Sequence, residues 1–173
     1  MLKDFADEFG RYKAIGWKAI EQVSDEGLNH IVAPDINSIA MIIRHISGNL
    51  ASRFTDFLTT DGEKEWRDRE SEFQENRYDR QQVEEMWTRG WSVLETQLSA
   101  LSDGDLHRQV AIRGVPLTVH EALCRSSAHV ASHVGQIVLL ARILSEGDWN
   151  WISIPKGRSA EYNKNPTMEK KPG

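Results

Sequence analysis

Apolar residues recur at helical spacing in four stretches of this chain. When each residue is turned by about 100°, Phe5, Phe9, Tyr12, Ala19, Ile20 and Val23 share one face of a segment from 4 to 24. Trp17 points away from that face. A second segment, 37 to 60, aligns Ile39, Ile43, Ile46, Leu50, Phe54 and Phe57, with Asn37 or Ser38 as its cap and Pro34 just outside. In the third, 79 to 101, Val83, Trp87, Trp91, Leu94, Leu98 and Leu101 form an unbroken stripe behind a capping Asp79. The fourth, 119 to 146, opens with Thr118 and Glu121 at capping-box spacing and closes near Gly147.

Four amphipathic helices of this length predict an all-α four-helix bundle. The linkers around residues 25–36 and 61–78 are long enough to travel the length of a helix, so simple up-down-up-down connectivity does not require them. Ahead of the last helix, "HRQVAIRGVPLTV" sets Gly114 between two β-prone runs, as a small hairpin would. Residues 1–155 read as one bundle domain and 156–173 as a C-terminal extension. Its polar end, "NKNPTMEKKPG", is expected to fray.

Composition narrows the function classes. A formal net charge of -5 disfavours a nucleic-acid surface, which needs clustered Lys and Arg. The acidic start "MLKDFADEFGRY" does not read as a signal peptide, and no window approaches the run of about eighteen apolar residues that a membrane span needs. A cytoplasmic location without membrane attachment is the resulting expectation. The single cysteine, Cys124, excludes an internal disulfide framework.

Chemistry concentrates in "SSAHVASHVGQIVLL". His129 and His133 are four apart, and Ala122, Ser126, Ile137, Leu140 and Leu144 lie within about 40° of His133 around the helix. Two imidazoles on one inward face can aim at a common metal ion, although a hydrogen-bonded pair of core histidines has the same spacing. Glu is absent between them, so a zinc-protease helix is disfavoured. Gln136 is about 60° off the line, placed to orient a ligand, while Cys124 faces the other way. His45 divides the apolar stripe of its helix from a polar one made of Ser38, Asn49, Ser52 and Asp56. That position suits an ordinary solvated edge or a cavity wall equally.

"RHISGNL", followed far downstream by "AHVASHVGQI", resembles the DinB-like metal-binding superfamily, which includes YfiT-type proteins, bacillithiol S-transferases and mycothiol-dependent maleylpyruvate isomerases. The longer run "HISGNLASRFTDFLTTDGEKEWRDRESEF", with "WISIPKGRSAEYN", resembles one uncharacterised branch of it. The resemblance implies a four-helix bundle of unusual helix order, commonly dimeric, with His45, His129 and His133 as ligands of a divalent metal. Zinc or nickel is the expected ion; iron and copper also accept imidazole. Asn49, Ser126 and Gln136 would line the pocket.

Three neutral imidazoles leave a coordination position open and the ion's charge uncompensated, so a bound thiol or water loses its proton more readily. The resemblance favours transfer of a low-molecular-weight thiol to a small electrophile. Metal-dependent hydrolysis and a non-enzymatic metal-containing binding module are the alternatives. Outside the triad, Lys156 and Arg158 of "PKGRS" are candidates for holding an anionic group near the metal, with Arg53 a weaker one. The alternating run "DGEKEWRDRESE" reads as a solvated loop that Trp66 anchors. Trp149, Trp151, Ile152 and Ile154 are apolar enough to cover the bundle end or a neighbouring subunit. Trp17, Trp87 and Trp91 suit a dimer contact or, for the last two, the core. No carboxylate stands out beside the triad as a general acid or base.

Overall fold

Four long helices enclose one core in the computed structural model, which describes residues 1–168. They are α1 (Leu2–Ile20), α3 (Ile39–Phe54), α4 (Arg80–Ala100) and α5 (Val119–Leu144), with short helices α2 (Asp25–Asn29) and α6 (Ser159–Tyr162) between and after them. The chain is predominantly helical, as its periodicity predicts. The first stripe stops earlier than expected. Ser24 caps α2 by accepting from the Gly27 N–H, so a separate short helix stands in the stretch that the sequence suggested was linker.

Capping signals in the sequence hold at atomic detail. Ser38 accepts from the Met41 N–H, and both Asp79/Gln82 and Thr118/Glu121 form reciprocal capping boxes. At the far end of α5 the cap residue is Ser145, and Gly147 lies beyond it with φ of 92°.

Extensive packing joins α1 to α5 and α3 to α4; smaller contacts of α3 with α5 and α1 with α4 close the ring. Phe5 stacks edge-on against His120, Gly16 lies beside Val134 and Gly27 beside Leu144, so α1 and α5 run in the same direction. Lys13 bonds Glu95 on the late part of α4, whereas Arg80 at its start bonds the carbonyl of Ile20, so α1 and α4 run oppositely. His45 meets His129 while Ile42, earlier on α3, sits with Leu140, later on α5; these two are also opposed. Helices α3 and α4 therefore point the same way, and residues 55–79 must return along the molecule to join them. That crossover carries a 3₁₀ turn, Glu70–Phe73, packed on α3.

The core is aliphatic with large aromatics set into close helix contacts. Trp87 and Trp91 are both buried, so they serve the core. A Cβ on Gly90 would overlap the backbone of Ser47, which is why α3 and α4 can approach as they do. Trp17 is only partly buried and donates its indole N–H to Glu21 at 2.8 Å.

The hairpin pairs β1 (Gln109–Ile112) with β2 (Val115–Thr118), antiparallel, in register Ile112 to Val115. Arg113 and Gly114 both have positive φ, 55° and 72°, as the two-residue turn between twisted strands demands. Asp61, in the crossover, accepts from the N–H groups of Arg113 and Gly114 and so ties the turn to the linker.

By length and mean hydropathy α5 is apolar enough to cross a membrane, and its Ala122, Val130, Val134 and Ile137 are spent on the core. The structure corrects one expectation about the crossover. The "DGEKEWRDRESE" run is not simply a solvated loop: Trp66 is 60% exposed, and Glu72 and Arg67 are the residues that bury. Downstream, Trp149 and Ile152 pack on the core, and the Arg142 guanidinium lies 4.1 Å from the centre of the Trp151 ring. The end of the tail lies outside the described residues.

Candidate metal centre

His45 projects from the middle of α3, and His129 and His133 from successive turns of α5 where the two helices cross. All three rings face one another, with centroids 5.2 Å apart for His45 and His129, 4.8 Å for His45 and His133, and 4.5 Å for the α5 pair. One nitrogen from each lies within 4.8 Å of the other two. The Nε2 atoms of His45 and His129 are 3.2 Å apart. Two imidazoles sharing one tetrahedral ion, each about 2.0–2.1 Å from it, would hold their nitrogens roughly 3.3 Å apart. The donor set therefore fits a divalent metal.

Partners on the far side of two rings set the tautomers. His45 Nδ1–H donates to Glu72 Oε2 at 2.8 Å, and His133 Nδ1–H donates to Gln136 Oε1 at 2.9 Å. Each hydrogen bond leaves Nε2 free to act as a ligand. His129 Nδ1 is buried and has no partner among the described residues. Burial, then the neighbouring imidazoles of His133 and His45, push His129 down to about 3. Burial also lowers His133, against the opposing pull of Gln136. Neutral rings at ordinary pH are the form a metal requires.

Glu72 is the residue that sequence reasoning missed. It is 5% exposed, and its carboxylate takes a two-pronged ion pair from Arg67, with Nε to Oε1 at 2.8 Å and Nη2 to Oε2 at 2.9 Å. Burial alone would raise its carboxyl, but the hydrogen bonds from His45 and Arg67 prevail and hold it below the usual range. The helix face of α3 accepts this carboxylate because residue 48 is glycine: a Cβ there would overlap Glu72 Oε1. A glycine in a helix interior costs about 1 kcal/mol relative to alanine, and that cost is the trace of Glu72 in "HISGNL".

The triad opens into a cavity of about 410 Å³. Asn49 and Ser126, expected there, do line it. Gln136 touches His133 from outside. Lys156 and Arg158 are exposed and do not line the cavity, and Arg158 pairs with Glu161 at 2.7 Å. Arg53 does line it, while bonding the Gly62 carbonyl and pairing with Glu63 at 3.2 Å. Arg67, Arg69, Arg113, Arg125, Phe73 and Ile112 complete the wall, drawn from the crossover, the hairpin and α5. Cys124 and His120 lie together elsewhere on α5, with Sγ 3.9 Å from His120 Nε2.

Over residues 1–158 the chain matches the model of a family described as a protein of unknown function, DUF1572, and it belongs to that family. No curated protein and no solved structure matches it.

Proposed function

We propose that this protein is a divalent-metal-dependent enzyme of the DinB-like four-helix-bundle type, transferring a low-molecular-weight thiol to a small electrophile. The observation that carries the reading is the convergence of His45, His129 and His133 at the wall of a cavity sized for a small molecule. His45, His129 and His133 would hold the ion, zinc or nickel by the affinity of imidazole for both. Bound there with three neutral protein ligands, such an ion supplies Lewis acidity that favours the deprotonated form of a thiol or water.

The chain's own groups do the rest. Glu72 fixes the His45 ring and its tautomer, and Gln136 does so for His133. Phe73 stacks on His45 with centroids 4.9 Å apart and shields that ligand from water. Asn49 and Ser126 offer neutral hydrogen-bonding groups to whatever enters. A homodimer belongs to the same reading, supported by the exposed Leu139 and Ile143 on the outer face of α5.

The test is to load the protein with zinc or nickel and incubate it with a panel of small thiols and a haloarene or epoxide. Metal-dependent conjugate formation, lost in His129→Ala, is the expected result. Hydrolysis of esters or amides without conjugation would move the protein to the hydrolases. Ligand binding without turnover in either screen would make it a binding module.

A further inference from the structure

Five arginines line the cavity: Arg53, Arg67, Arg69, Arg113 and Arg125. No carboxylate lines it among the described residues. Their partners stand behind them and are too few. Glu72 serves Arg67, at 2.8 Å, and is itself engaged by His45. Glu63 is shared between Arg53 at 3.2 Å and Arg113 at 2.9 Å. Arg69 reaches only Glu70, 3.2 Å away in a pair exposed to 45% and 85%, and rests on the Phe73 ring at 5.0 Å. Arg125 makes no ion pair or hydrogen bond to any described residue.

This local excess of positive charge sits on a chain whose formal net charge is -5. Guanidinium groups concentrated in a cleft focus the field and draw anions inward, and their planar donor forks match carboxylate and phosphate oxygens. A bound divalent cation would add to the same sign. Arg125 lies four residues before His129, about 6 Å along α5, so it stands one turn from the triad on the open side.

We propose that the ligand of this cavity is a small molecule carrying an oxyanion group, carboxylate or phosphate, which Arg125 and Arg69 hold at the mouth while its other end reaches the histidine triad. The proposal rests on the reading of this cavity as a substrate site, but not on thiol transfer. It places anion recognition on α5 and the crossover, away from Lys156 and Arg158. The buried pairs of Arg67 and Arg53 serve to hold the wall; the exposed guanidiniums are left for the ligand.

The experiment is calorimetric titration of the metal-loaded protein with succinate, with inorganic phosphate and with uncharged succinamide, at low and high salt. Succinate or phosphate is expected to bind, more weakly as salt rises, and succinamide is not. Whichever anion binds more tightly identifies the oxyanion. In Arg125→Gln and Arg69→Gln, affinity should fall about tenfold each with metal content and Tm unchanged. A His129→Ala, His133→Ala double variant separates the arginines from the ion: anion binding that survives there belongs to the guanidiniums. The proposal is overturned if neither anion binds, if succinamide binds as well as succinate, if both arginine variants bind like the parent, or if binding vanishes with the metal. Should arginine-dependent binding appear while every thiol conjugation fails, only the thiol-transfer reading falls. Conjugation with uncharged substrates and no anion binding would be the reverse.

Discussion

The carboxylate of Glu72 accepts from His45 Nδ1–H at 2.8 Å, joining a residue of the crossover linker to a histidine in the middle of α3. A carboxylate behind a metal-ligating imidazole orients the ring and raises its basicity. Because Arg67 clamps the same carboxylate, the ligand, its orienter and the clamp form one buried chain.

Glu72→Gln should weaken metal binding about tenfold or more, as loss of such an orienting carboxylate does elsewhere. It also leaves the Arg67 guanidinium without its charge partner, and breaking a buried pair costs about 3–5 kcal/mol. Chelator competition reads the first effect, and urea unfolding of the metal-free protein reads the second. Unchanged metal affinity would remove Glu72 from the centre.

Gly48→Ala should reproduce part of this effect without touching a charged group. The added methyl would overlap Glu72 Oε1 and displace the carboxylate from His45. Overpacking of this kind costs about 1–3 kcal/mol. Gly135→Ala is the control: a methyl added there meets nothing within 4 Å, so helix propensity should stabilise α5 by about 1 kcal/mol. Opposite signs of the two shifts in Tm are the expected outcome.

Removal of any one triad imidazole should abolish stoichiometric loading. Metal analysis of His45→Ala, His129→Ala and His133→Ala, purified without an affinity tag, tests this. In the parent protein a metal present at about 100 times its Kd should add about 2.7 kcal/mol of stability, which a chelator takes away. Full loading of all three variants would mean the ion binds elsewhere.

Acid should destabilise the metal-free protein in a window set by His129. Its folded value lies at about 3, below the ordinary 6.5 of an exposed imidazole. Between those two values the unfolded chain holds a proton that the native state refuses, so stability rises with pH across the window and is lost as pH falls from about 6.5 towards about 3. The depressed carboxyl of Glu72 acts in the same direction, its contribution being lost as pH falls through its folded value. Urea unfolding at several pH values should show this slope, and His129→Gln should flatten it above the carboxylate range.

Periodicity and capping residues determined the helical class, the four long helices, the hairpin and the inward face that carries His129 and His133. Those features depend on a few neighbouring residues at 3.6 or two per repeat, so they are written locally. Position on its own helix left His45 undecided, because a side chain between two stripes can face water or a cavity. The resemblance of its motif implied a ligand, and the packing of α3 across α5 brings its ring to the other two. Tertiary packing alone decided the arginine-lined wall, assembled from α3, the crossover, the hairpin and α5, and the distance of Lys156 and Arg158 from it. Glu72 and Arg67 read as surface charges in a run of alternating sign, since burial of an ion pair depends on what folds over it. What covers them is set by contacts far apart in the chain, and no local pattern records that.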